Sequence, residues 1–154
     1  MARVKIEHRL GIAAPAHEIW KLVGDLPGWK HWNPLYTSAE GTLGFGAPLT
    51  LTLALPGRKP QVIRPIVESW TPDELIHWRL SMLGGMVRSV RYIEIEKLTD
   101  TGCIFSNGEI FDGLLGPTVA RSMRGTIRSG FAAMGEAVKA RVEAAWQGRE
   151  GQPT

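Results

Sequence analysis

The residue with the most chemical promise is a carboxylate set among apolar neighbours. Glu109 lies in the run Cys103 to Asp112, in phase with Phe105, Asn107 and Phe111. If that phase faces an apolar pocket, burial disfavours the ionised form and raises the carboxyl pKa, which suits a general acid or base. Two plainer readings stay open: Glu109 pairs with Arg91 or Arg64, or it lies at a wet edge. Arg91 shares the parity of Ser89, Ile93 and Ile95 in the run Val87 to Leu98, so it points inward unless a bulge intervenes. An inward Arg91 would hold a ligand carboxylate or enolate. Val90 and Tyr92, apolar on the opposite parity, leave room for a bulge that turns Arg91 out as a surface charge.

Other catalytic constellations are missing. His8, His17, His31 and His77 are scattered, without ligand spacing to a cysteine or carboxylate, so no metal site is expected. No G-x-S-x-G occurs, and the lone Cys103 reads as a small buried filler. The stretch Gly41 to Gly46 (GTLGFG) joins two strands with no following helix to hold a phosphate. No cofactor is therefore expected.

Composition narrows the setting. The 154 residues point to one domain, and a formal charge of +3 is too mild to imply a nucleic-acid partner without a clustered platform. One cysteine makes no internal disulfide, which suggests a reducing compartment. The start, MARVKIEHRLG, has no signal-peptide core, and no run approaches eighteen apolar residues. A cytoplasmic protein without a transmembrane segment is expected. Its domain spans residues 1–147, with 148–154 as a disordered tail. Nothing sets the oligomeric state.

The elements that must position these groups follow from periodicity. Val4, Ile6, Leu10 and Ile12 alternate with Lys5, Glu7 and Arg9 as a strand. Ile19, Trp20, Leu22 and Val23 give a short helix an apolar face, with Pro15 at its start and Gly24 at its end. A second short turn runs from Asp25 past Trp29 and Trp32 to Asn33-Pro34. Strands then follow in quick succession: Leu35 to Thr42, Leu49 to Leu55, Gln61 to Trp70 (with Pro65 at an edge or bulge), Ile76 to Met82, Val87 to Leu98, and Cys103 to Asp112. After Gly113 the period changes. Val119, Met123, Ile127, Phe131, Met134, Val138, Val142 and Ala145 mark one face of a helix of about eight turns, roughly 40 Å. Gly125, Gly130 and Gly135 inside it each cost about 1 kcal/mol against alanine. Either strands pack closely there or a ligand approaches.

The expected fold is α+β: a curved antiparallel sheet of about seven strands, wrapped around a long C-terminal helix, with two short helices after the first strand. Several stretches match a family in this order. Pro15 to Asp25 (PAHEIWKLVGD) resembles the first helix of the START-like, or SRPBCC, helix-grip superfamily of polyketide cyclase/dehydrase type. Trp32-Asn33-Pro34, Pro72 to Trp78 (PDELIHW) and Gly108 to Leu115 (GEIFDGLL) resemble that family's turn, mid-sheet strand and entry into the last helix. The superfamily includes lipid carriers, hormone-binding proteins, cyclases and chaperone activators, so the resemblance implies a fold rather than one function. Gly84 to Tyr92 departs from it, lacking the histidine many relatives carry there. That puts chemistry tied to that histidine in doubt.

The resemblance and the residues together suggest a binding module. A cavity between sheet and helix would take a lipid-, aromatic- or polyketide-like molecule. Trp29, Trp32, Leu51, Leu53, Trp78, Phe111, Met123, Ile127 and Phe131 would line it, and Asn107, Glu109 and Arg91 would orient the ligand. One alternative is a cyclase/dehydratase-type enzyme in which Glu109 moves a proton and Arg91 steadies the oxyanion. A third is a chaperone-activator-like module that meets a protein partner through Arg121, Arg124 and Arg128 on the helix's outer face.

Overall fold

The computed structural model describes residues 3–150. Eight strands form two antiparallel sheets. One sheet has five strands in the order β1 (Val4–Ile12), β8 (Gly102–Asp112), β7 (Val87–Thr99), β6 (Leu75–Met82) and β5 (Ile66–Thr71). The other has three, β2 (Tyr36–Glu40), β3 (Thr50–Leu53) and β4 (Gln61–Ile63). Helix α1 (Ala16–Val23) and a 3-10 helix (Leu26–His31) follow β1, and α2 (Gly116–Glu150) closes the chain. This is the helix-grip arrangement expected, with one more strand. The extra strand comes from Pro65. It has no N–H for a ladder, and the run expected from Gln61 to Trp70 divides there. β4 pairs with β3 and β5 with β6. A bridge between Pro48 and Ile66 and the bond from Leu49 N to the Pro65 carbonyl (2.9 Å) stitch the two sheets together.

The inner face of the large sheet grips α2, and segments flanking the small sheet reach it through Leu35, Leu55 and Pro56 at Gly130. Ala120, Ile127, Phe131, Met134, Val138 and Val142 are buried along one stripe, at the three- and four-residue spacing of a helix face. Each large side chain so buried contributes roughly 1.5–3 kcal/mol. Two of the three interior glycines mark close approaches. A Cβ on Gly130 would sit 2.8 Å from Leu35 Cδ1, and one on Gly135 2.9 Å from Leu10 Cδ2. Nothing in the structure explains Gly125, where a Cβ would meet open space.

The helix runs further than expected. Residues 148–150 continue α2 rather than beginning a tail, and 151–154 lie outside the described residues. Ala144, Ala145, Gln147 and Arg149 are good helix formers that carry the last turns past Gly148, and Arg149 pairs with Glu18 of α1, which fixes the helix end.

Two local devices position the site. Asn33 Oδ1 accepts hydrogen bonds from the backbone N–H of Leu35 (2.9 Å) and Tyr36 (3.0 Å), setting the entry of β2. At the end of β8, Gly113 adopts φ +87°, and a Cβ there would press on the Met86 carbonyl oxygen at 2.7 Å. Glycine lets the chain turn tightly into α2.

Candidate functional site

One row of residues crosses the large sheet on its inner face. Ile6, Glu109, Arg91 and Trp78 stand opposite one another in register on β1, β8, β7 and β6. β7 carries no register shift until Lys97, so no bulge turns Arg91 out. Ser89, Arg91, Ile93 and Ile95 all face inward and are buried. The apolar residues of opposite parity have their own role. Tyr92 lies over Gly108 on the outer face, where an added Cβ would overlap its ring, and its hydroxyl donates to Glu7.

Arg91 is 1% exposed, and its donors are consumed inside the protein. Nε donates to the Tyr36 hydroxyl (2.9 Å), Nη1 to the carbonyls of Tyr92 (2.6 Å) and Gly108 (3.3 Å), and Nη2 to Asn107 Oδ1 (2.9 Å) and Met134 Sδ (3.8 Å). The guanidinium also lies against the Phe131 ring, 4.3 Å from its centroid, with Tyr36 and Trp78 near 5.6 and 5.7 Å. Weak hydration and planarity suit arginine to such an aromatic, neutral-acceptor site.

In front of this row the sheets and α2 enclose a cavity of about 310 Å³. Leu53, Trp78, Glu109, Phe111, Met123, Ile127 and Phe131 line it, as anticipated from their positions on inward faces. Trp29, Trp32, Leu51, Asn107 and Arg91 do not. Trp29 is fully buried, donates from Nε1 to the Val23 carbonyl (3.0 Å) and packs on Trp32, Tyr36 and Trp78. Those two tryptophans belong to the core beside the cavity. Leu51, on β3 of the small sheet, is fully buried. Asn107 sits behind the wall. It accepts from Arg91, and its Nδ2 donates to the Phe131 carbonyl of α2 (3.2 Å).

Further lining residues went unanticipated, among them Tyr36, Leu55, Arg58, Lys59, Gln61 and Leu80. Leu55 and Leu80 keep the alternating phase of Leu53 and Trp78, a signal that was available in the sequence. Tyr36 depends on the turn that Asn33 fixes, and the hairpin residues depend on tertiary placement.

Glu109 reaches the cavity and is only partly accessible. Burial pushes its carboxyl pKa up, while the neighbouring Ser89 hydroxyl and Arg91 guanidinium pull it down. The Ser89 Oγ is buried without a well-aligned hydrogen-bond partner. Burial likewise raises the Tyr36 phenol, which stays neutral and serves Arg91 as acceptor. The arrangement offers an apolar space, one carboxyl whose pKa burial raises, and a positive charge behind it.

Elsewhere the chemistry is sparse. Cys103 is buried and its thiol pKa is raised by burial. No group of three or more His, Cys, Asp or Glu residues among the described residues is placed to hold a metal. His17 pairs with Asp73 (3.1 Å) and His77 with Glu94 (2.7 Å). Arg121, Arg124 and Arg128 are exposed on α2. No helix among the described residues is long and apolar enough to cross a membrane.

Solved structures share this architecture at low sequence identity. An aromatase/cyclase from a Streptomyces species, Zhui, superposes with a TM-score of 0.73 at 20% identity, over 92% of this chain and 94% of that one. Norcoclaurine synthase from Thalictrum flavum gives 0.68 at 20% identity, over 94% and 96%. A START superfamily protein from Mycobacterium smegmatis gives 0.70 at 18% identity, over 92% and 98%. At such identities the likeness concerns the fold. No curated protein matches the sequence. Residues 3–145 match the family described as polyketide cyclase / dehydrase and lipid transport. Match and architecture agree along nearly the whole chain, which therefore belongs to that polyketide cyclase / dehydrase and lipid transport family.

Proposed function

We propose that this protein binds one apolar small molecule in the cavity between the sheets and α2, with Glu109 as the group that orients it. The observation carrying this reading is the cavity wall itself. Leu53, Trp78, Phe111, Met123, Ile127 and Phe131 are apolar, and Glu109 is the one carboxylate among the described lining residues. Apolar burial supplies affinity, and a few convergent polar groups supply orientation. At about 310 Å³ the space is at the lower end of the ~300–1,000 Å³ typical of such sites. It suits a molecule of one or two rings, or one short chain, rather than a two-chain lipid. The test is binding of N-phenyl-1-naphthylamine, a neutral probe whose fluorescence rises in apolar surroundings. The parent protein should bind it at one site, and Ile127→Trp, which fills the cavity, should not. Equal binding by both would reject the reading.

A second reading is favoured by the raised pKa of Glu109. A carboxylate whose pKa is raised is a stronger base: it can take a proton from a carbon next to a ligand carbonyl and, as the acid so formed, return a proton or deuteron to the enolate. Arg91 would then act on Glu109 and its surroundings through charge alone, because its N–H groups are already engaged. Deuterium incorporation from D2O into an aryl methyl ketone, above the uncatalysed rate, would support this. Glu109→Gln should abolish that exchange and keep the ketone bound. Exchange that survives in Glu109→Gln would reject it.

A further inference from the structure

The cavity's entrance is chemically distinct from its interior. Among the lining residues, the exposed ones are Arg58 and Lys59, on the hairpin turn between β3 and β4, and Gln61, the first residue of β4. Access therefore runs past that hairpin. Neither Arg58 nor Lys59 has a carboxylate within 4.0 Å among the described residues. The hairpin does not hang free. Leu55 and Pro56 rest on α2 at Gly130, where a Cβ would lie 3.4 Å from Leu55 Cδ2 and 3.5 Å from Pro56 Cδ. That contact holds the two cations at the rim.

Resting on the reading of the cavity as a ligand site, we propose that its ligand is an amphiphilic anion, a single-chain or aromatic acid whose charged group stays at the entrance on Arg58 and Lys59. The apolar body fills the interior, and an uncharged oxygen such as a carbonyl or hydroxyl reaches Glu109. The orientation follows from the charges. An anionic group pushed inward would lose its water and meet Glu109, another acid. At the rim it keeps part of its hydration and gains charge-assisted hydrogen bonds from a guanidinium and an ammonium. Gln61 adds a neutral amide beside them. The cavity's volume restricts the body to one chain or a pair of rings, which excludes a two-chain phospholipid as the source of the anion.

The test uses two probes of closely similar shape: 8-anilinonaphthalene-1-sulfonate, which is anionic, and N-phenyl-1-naphthylamine, which is neutral. The readout is the ratio of their Kd values in each variant, so the difference in intrinsic hydrophobicity cancels. In Arg58→Glu/Lys59→Glu the sulfonate should weaken by about tenfold or more at low salt, the scale of a lost charge-assisted contact, with the neutral probe unchanged. Added salt should shrink the effect in the parent. Both probes should be lost in Ile127→Trp, with Leu53→Trp as a second filling variant should the first not fold. An unchanged ratio in the double reversal would overturn the anion proposal and leave the cavity reading standing. Sulfonate binding that persists in both filling variants would overturn it too, by placing the anion outside the cavity. If the parent binds neither probe, the cavity reading itself fails, and this proposal fails with it.

Discussion

Arg91 and Glu109 face each other in register across β7 and β8, yet they form no ion pair. The guanidinium turns instead to Tyr36, Asn107 and two backbone carbonyls. The buried cation is solvated by neutral acceptors and aromatic faces, and the carboxyl is left to the cavity. This separation gives Glu109 its character: close enough to Arg91 to feel its charge, and desolvated enough that its pKa is raised all the same.

That character has a sign that can be tested through stability. The folded pKa of Glu109 lies above its unfolded value. Its contribution to stability is therefore fully present below the ordinary carboxylate range and is lost as pH rises through the raised folded value. Glu109→Gln cannot titrate there. It should melt close to the parent at pH 4 and at a higher temperature than the parent at pH 8. Parallel Tm–pH curves for the two proteins would show that Glu109 is not perturbed.

Ligand binding should carry the same signature. An apolar molecule in the cavity displaces water from Glu109 and raises its pKa further, so binding takes up a proton. Affinity for N-phenyl-1-naphthylamine should fall as pH rises through the titration of Glu109. The profile should be flat in Glu109→Gln, as measured by fluorescence titration between pH 4 and 9.

Arg91 should resist conservative replacement. Its side chain makes five hydrogen bonds in a planar fork, whereas an ammonium has three donors. Arg91→Lys leaves buried acceptors such as Tyr36 Oη or Asn107 Oδ1 unpaired and should cost about 2–4 kcal/mol in urea unfolding. A cost below about 1 kcal/mol would mean that the network tolerates rearrangement.

On the outer face, Gly108 and Tyr92 should couple. Gly108→Ala drives a Cβ into the Tyr92 ring and should cost about 1–3 kcal/mol. In a Tyr92→Ala background the same change should cost little, because the obstacle has gone. Additive losses would place the strain elsewhere.

Much of this was legible in the sequence, for identifiable reasons. The inward phase of Leu53, Trp78, Glu109 and Phe111 is strand alternation, and that of Met123, Ile127 and Phe131 is helical spacing; both periods survived folding. The inward turn of Arg91 was ambiguous because Tyr92 is also apolar. The ambiguity resolves only once Gly108 on the next strand, lacking a Cβ, is seen to leave room for the Tyr92 ring on the outer face. Trp29 and Trp32 looked like cavity walls by size and position, but they pack on each other and on neighbouring core rings. Arg58 and Lys59 were invisible as site residues. In sequence they follow a Pro56-Gly57 turn, and only the contact of Leu55 and Pro56 with α2 at Gly130 brings them to the cavity's rim.

The most direct measurement of the central claim is native mass spectrometry of the protein purified from its own organism's extract, alongside the Ile127→Trp variant treated identically. The account predicts one added small mass on the parent, released on denaturation as an apolar molecule bearing an acidic group, and none on the variant. An empty parent that also ignores a panel of single-chain and aromatic acids would contradict it.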